Sequence, residues 1–192
     1  MHKTKLYRSL KDKFNISQKT IDILDNELCE YKVKKGSNIV EQEKCIYDII
    51  FLIEGVVLTT FVREGKEYVT NISFEDEIIA IPLKCTNISA ATLIAFEDCR
   101  ILKMKLSRFE QLMEEYIEFS ILGYRICKNL LSLVAEEYFD YTGLEAKEAY
   151  DKLVRERPEV LNRIPLKHLA SNLGVTPSSL SRIRAHGLSK NK

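Results

Sequence analysis

Ser178, Ser181, Arg182 and Ala185 stand at i, i+3, i+4 and i+7, the spacing that gathers side chains on one face of a helix. The chemistry of that face is hydrogen bonding rather than bond making. Two hydroxyls donate or accept, a guanidinium donates a parallel pair, and an alanine leaves room for close approach. Such a face suits the donor and acceptor edges of base pairs in the DNA major groove. Its supports are legible over residues 164–184. Pro165 suits a first helical turn, where a missing N–H is tolerated. Leu166, Leu169, Ala170 and Leu173 follow at i, i+3, i+4 and i+7 as an apolar stripe, and the small Ala170 lets a second helix cross closely. Gly174 can take the left-handed conformation that ends a helix, and Val175 fills the turn. Thr176 as N-cap and Pro177 as first residue restart a helix on which Leu180 and Ile183 face inward. The pattern predicts two short helices crossing at a tight turn. The competing reading is a helical hairpin that serves packing alone.

Charge favours the DNA reading. Residues 155–192 hold eight Lys and Arg (155, 157, 163, 167, 182, 184, 190 and 192) against Glu156 and Glu159, a balance of +6. Because the chain totals 29 basic and 28 acidic residues, residues 1–154 carry 21 against 26, or −5. The near-neutral total hides a basic end that coincides with the helical pair, the asymmetry phosphate attraction requires. A chain of 192 residues, 45% hydrophobic and 30% charged, is long enough for a real core in one large or two small domains. No apolar run approaches the length of a membrane span and residues 1–14 lack a signal-peptide core, so a cytoplasmic protein with no membrane partner is expected. Cysteines 29, 45, 85, 99 and 127 are odd in number and include no C-x-x-C pair, and His2, His168 and His186 are scattered. No metal site, cofactor or disulfide framework is therefore expected, and His168 reads as a surface or phosphate-proximal residue. Neither a His–carboxylate or Cys–His spacing nor a phosphate-binding glycine loop is present, so an enzyme is not expected.

The rest of the chain must present this end. Residues 5–30 read as helical, with Ser17 capping a stretch in which Ile21, Leu24 and Leu28 line one side. Over residues 31–104 the texture changes to short β-branched and aromatic runs separated by turn signals at Lys35-Gly36, Glu54-Gly55 and Glu64-Gly65-Lys66, which predicts a sandwich or small barrel. Residues 107–137 return to helical periodicity. Leu112, Tyr116, Phe119, Gly123, Ile126, Leu130 and Leu133 alternate steps of four and three, and a helix of about 30 residues reaches about 45 Å, too long for one small domain to bury. So broad a stripe can serve two surfaces, its own β domain and a second copy of the helix; the competing reading is a core helix docked only within its own chain. These seven residues are the predicted homodimer interface, and two-fold pairing would set two DNA-reading helices one turn of DNA apart.

The order of these parts, and the stretch at residues 153–184 above all, resembles the Crp–Fnr family of bacterial transcription regulators over nearly the whole chain. The resemblance implies an α+β protein with three parts. These are an N-terminal jelly roll of the cyclic-nucleotide-binding type with flanking helices (1–106), a dimerisation helix (107–140) and a helix-turn-helix domain (141–192). It also implies a homodimer on a palindromic operator in double-stranded DNA, with RNA polymerase as an additional possible partner. Carried over, Pro177, Ser178, Ser181 and Arg182 face base edges, Arg182 foremost as a bidentate guanine ligand, whereas Lys167, Thr176, Ser179 and Arg184 serve phosphates. Two departures stand out. Where cyclic-AMP-binding members carry Phe-Gly-Glu and Arg-Ser-Ala elements, the matching stretches read Phe74-Glu75-Asp76-Glu77 and Ile88-Ser89-Ala90. The effector pocket, assigned to Phe74, Glu77 and Ser89, is thus expected not to bind cyclic AMP and to take another small molecule or none. Only eight residues follow Arg184, so the β-hairpin wing of many members is not expected. The rival function is a small-molecule sensor module whose helix-turn-helix does not bind DNA.

Overall fold

The structure, a computed structural model, describes residues 2–79, 83–85 and 88–188. Helices α1 (His2–Phe14) and α2 (Gln18–Glu27) precede ten strands. These are β1 (Cys29–Val33), β2 (Asn38–Val40), β3 (Asp48–Glu54), β4 (Val57–Arg63), β5 (Lys66–Ser73), β6 (Glu77–Ile78), β7 (Leu83–Cys85), β8 (Ile88–Ser89), β9 (Thr92–Ala95) and β10 (Cys99–Lys105). Six helices follow: α3 (Leu106–Glu115), α4 (Ile117–Gly143), α5 (Ala146–Glu156), α6 (Val160–Arg163), α7 (Leu166–Asn172) and α8 (Pro177–Leu188). The strands form two antiparallel four-stranded sheets, ordered β1-β10-β3-β6 and β2-β9-β4-β5, with β7 and β8 paired apart.

Four layers result. Ile50, Leu52 and Ile101 of one sheet meet Val57, Leu93 and Ala95 of the other in the central core. The alternate residues Phe51, Ile53, Leu102 and Met104 face α1–α4. On the far side Leu58, Val69 and Ile72 face α5–α8. Both faces of β3 and of the first half of β4 are thus covered, which is why residues 49–53 of β3 read as a continuous apolar run rather than as an alternating one. The turns fall at the expected glycines. Gly55 has φ 98°, and a Cβ there would lie 2.7 Å from Cys99 Sγ and 2.8 Å from Asp98 O, so no other residue fits without rearrangement. Glu64 and Gly65, at φ 53° and 73°, form the two-residue loop that joins β4 to β5, with Arg63 paired to Lys66.

The helical N-terminal stretch divides at Asn15–Ser17. The Ser17 side chain caps α2 by accepting from Thr20 N, and Ile21, Leu24 and Leu28 are buried as expected. The single helix expected over 107–137 is instead two, broken at Tyr116, whose φ −135° and ψ 116° are extended. Polar groups stabilise the break. Ser120 Oγ donates to Met113 O at 2.6 Å, satisfying a carbonyl left open at the end of α3. Glu118, in the first turn of α4, accepts from Ser17 N at 2.8 Å, from Ser17 Oγ at 2.6 Å and from Thr20 Oγ1, which pins the start of α4 to the start of α2.

The break redirects the apolar stripe. Leu112 and Phe119 are 0% exposed, and Gly123 is buried where a Cβ would come within 3.1–3.3 Å of Met113 and Phe109. Ile126 packs half-buried on the same core. These four residues therefore belong to the core of their own protomer, contrary to the expected dimer interface. Tyr116 is partly exposed beside Phe119, Leu130 is half-buried and Leu133 exposed. Among the apolar residues that α4 leaves in solvent, Ile117 at 77%, Ile121, Tyr124 at 66%, Leu131 at 72% and Tyr138 form a different row, offset around the helix; Leu133, Val134 and Phe139 are exposed beside it.

Candidate nucleic-acid interface

The polar face on α8 is positioned from below by a tight turn. Gly174 has φ 66°; its N–H donates to Ser171 O at 3.1 Å, and Val175 N–H reaches back to Ala170 O at 2.9 Å. This paired closure satisfies the last carbonyls of α7 and needs a left-handed residue at position 174. Thr176 then caps α8, its Oγ1 accepting from Ser179 N at 3.2 Å while lying 3.0 Å from Ser178 Oγ and 2.9 Å from Ser179 Oγ. Leu169, Ala170 and Leu180 are 0% exposed at the crossing of the two helices, and Leu166, Leu173, Val175 and Ile183 close its edges.

With that side buried, Pro177, Ser178, Ser181, Arg182 and Ala185 are exposed along α8, so the four residues expected to face bases share one open face. Of the four expected at phosphates, Lys167 and Thr176 are exposed and Ser179 and Arg184 half-buried around that face. His168 is half-buried with its ring edge-on to Phe96, centroids 5.2 Å apart, and burial, reinforced by Lys167, holds its imidazole below the ordinary value.

The three effector-pocket candidates lie on two elements, Phe74 and Glu77 at the turn into β6 and Ser89 in β8. Phe74, Glu75, Asp76 and Glu77 form the turn from β5 into β6, with Asp76 at φ 66°. Phe74 is buried among residues of α5–α8. Glu77 lies 3.1 Å from the Arg157 guanidinium; burial pushes its carboxyl above the ordinary value, and Arg157 only partly offsets this. Ser89 is buried in β8, its hydroxyl donating to Ala91 O at 2.5 Å.

The acidic turn has a function that sequence reasoning missed: it holds the C-terminal helices. Arg163 Nη1 and Nη2 donate to the two oxygens of Glu75 at 2.9 and 2.7 Å, and Nε and Nη2 donate to those of Glu97 at 3.0 and 2.6 Å. Its guanidinium also sits 5.4 Å from the Phe74 ring centroid. Burial alone would raise the Glu75 carboxyl, but Arg163, the residue's own backbone and the Gly55 N–H together bring it below the ordinary value. The signal was in the sequence as an acidic turn and two arginines, 157 and 163, but their meeting is long-range and no local pattern encodes it.

No family model and no curated protein matches the chain. Among solved structures, FixK2 from Bradyrhizobium japonicum superposes with a TM-score of 0.70 at 13% identity, covering 85% of this chain and 86% of that one. The fold is that of the Crp–Fnr regulators. A CooA mutant from Carboxydothermus hydrogenoformans gives 0.66 at 19% identity, covering 87% of this chain and 79% of its own. The Thermus thermophilus catabolite activator protein gives 0.59 at 16% identity over 95% and 87%. These matches extend over most of each chain. Among the described residues, no helix is long and apolar enough to cross a membrane.

Proposed function

We propose that the chain is a transcription regulator that binds double-stranded DNA as a homodimer. In this reading its two sheets are a jelly roll of the cyclic-nucleotide-binding type, and α7, the turn and α8 are a helix-turn-helix. The observation that carries it is the exposed row of Pro177, Ser178, Ser181 and Arg182 on a helix whose opposite side is sealed by Leu180. Arg182 is the bidentate ligand of a guanine, while Lys167, Thr176, Ser179 and Arg184 contact phosphates and fix the register. The second copy covers α4. Ile117, Ile121, Tyr124, Lys128, Leu131, Ala135 and Tyr138 alternate steps of four and three, a seam for a parallel pair in which Lys128 is a central polar position of the kind that fixes register and strand number. Cyclic AMP is not the effector, because Ile88 stands in β8 where the family resemblance calls for the phosphate-pairing arginine.

Selection of binding sites from random duplexes tests this reading, run with and without cyclic AMP. A palindrome with half-sites about one helical turn apart is expected in both arms. Arg182→Ala is expected to weaken binding by roughly 1–3 kcal/mol and to relax one position in each half-site. If no site is enriched, the sensor-module reading takes its place.

A further inference from the structure

We propose that the β5–β6 turn clamps the DNA-binding helices onto the β-domain as one rigid unit, so that the reading face of α8 is presented without any effector. The proposal rests on the reading of α7 and α8 as the DNA-binding element and concerns how that element is regulated.

Three independent contacts converge on the clamp. Arg163 engages Glu75 and Glu97 through two bidentate forks, so all three of its nitrogens donate to carboxylates. The exposed edge of the second sheet is closed by the C-terminal helices: Val69 N–H donates to Ser171 Oγ at 2.9 Å, Asn172 Nδ2 donates to Thr70 O at 3.0 Å, and Arg157 Nη1 donates to Ile72 O at 2.9 Å. Beneath these bonds Val69, Ile72 and Phe74 share one buried apolar cluster with Val160, Leu169 and Leu180.

Domains that swing on a linker usually meet through a small, polar interface. Here a hydrophobic core runs from β5 through α7 to α8, and separating the parts would expose it while leaving three backbone groups of an edge strand unpaired. An effector shifts an equilibrium only as far as it binds two arrangements differently, and this contact strongly favours one of them. That arrangement leaves Ser178, Ser181 and Arg182 exposed, so the clamp does not hide the reading face. The acidic run that unbalances the N-terminal part of the chain thus has its partner within the same chain.

The test pairs hydrogen exchange with DNA binding on the full chain, with no small molecule added. In the unsubstituted protein, β5 and α7 are expected to exchange as one slow unit, and the selected operator to bind without additive. In the Glu75→Gln/Glu97→Gln double variant, exchange at β5 and α7 should rise about tenfold or more while β3 and β10 stay protected. Operator affinity should fall about three- to tenfold as the competent fraction drops. Should that variant fail to fold, Ser171→Ala reads the same contact through faster exchange at Val69. Unchanged exchange at β5 and α7 in a folded double variant would overturn the clamp, as would operator binding that appears only after a ligand is supplied. Slow coupled exchange in a protein that binds no DNA would leave the clamp standing and sink the DNA-binding reading instead.

Discussion

Leu131→Ala separates the two apolar rows of the long helix. Leu131 is 72% exposed in the single chain, and its row is the one proposed to meet a second copy. Fully burying a leucine side chain contributes about 1.5–3 kcal/mol relative to leaving it in water. Truncation to alanine removes most of that, and a two-fold pair contains the residue twice, so the dimer should lose about 2–4 kcal/mol. At 1.4 kcal/mol per factor of ten, the dissociation constant rises about thirty- to a thousandfold. The exposed position and the good helix propensity of alanine leave the folding of each protomer nearly unchanged. Leu112→Ala is the control with the opposite signature. This residue is 0% exposed within its own protomer, so its truncation should cost about 2–5 kcal/mol of folding stability and lower the melting temperature. Among folded molecules it should leave the dimer constant where it was. Sedimentation over a range of concentrations, with thermal unfolding alongside, reads both numbers. A Leu131→Ala protein that dimerises as tightly as the parent would refute the offset seam, and a Leu112→Ala protein that dissociates without losing stability would restore the unbroken stripe.

Three further outcomes follow from charge. His168 has its imidazole value lowered by burial against Phe96, so it stabilises the fold above its unfolded value and loses that contribution as pH falls through the folded one. Acidification from about pH 7.5 to about pH 5.5 should loosen α7, and His168→Gln should flatten that part of a melting-temperature profile; a parent with no dependence there refutes the assignment. Glu75, whose carboxyl lies below its ordinary value, keeps its contribution above the unfolded value and loses it only as pH falls through the lower folded one, so the Arg163 contact should outlast the histidine effect. In DNA binding, Lys167→Ala should reduce the slope of log affinity against log salt by about one per protomer while selecting the same sequence, as a phosphate contact must. A changed preferred base would place Lys167 in the groove instead.

What the sequence revealed and what it withheld divide along the range of the interactions. The turn at Gly174, the cap at Thr176 and the inward Leu180 were legible because each is set by neighbours within a few residues. The strands were legible for a related reason: the run at residues 49–53, Ile-Ile-Phe-Leu-Ile, is apolar throughout, the mark of a strand covered on both faces. The long helix was misread because a step pattern of four and three is satisfied by more than one row. Leu112 and Phe119 obey it and face the core, whereas Ile117, Tyr124 and Leu131 obey it and face solvent. Only the extended residue at Tyr116, held by Ser120 and Glu118, decides which row turns outward. The ion pair of the acidic turn was not legible, since Arg163 lies 88 residues from Glu75.

That contact also changes the meaning of the charge count. The C-terminal end carries eight basic residues, but Arg157 and Arg163 turn inward to Glu77, Glu75 and Glu97. The positive charge left facing outward is smaller than the sequence balance implies. Non-specific attraction scales with the number of phosphates neutralised, so a single protomer should hold DNA weakly. On the proposed reading, discrimination comes from geometry: two reading helices, each fixed to its β-domain by the clamp and both set by one seam, would engage two half-sites at once. Linking two modest contacts rigidly raises their joint affinity through effective concentration, and only for duplexes whose half-sites match the fixed spacing. On that reading, Arg157 and Arg163 contribute to specificity from within the protein, by holding the proposed DNA contacts in register.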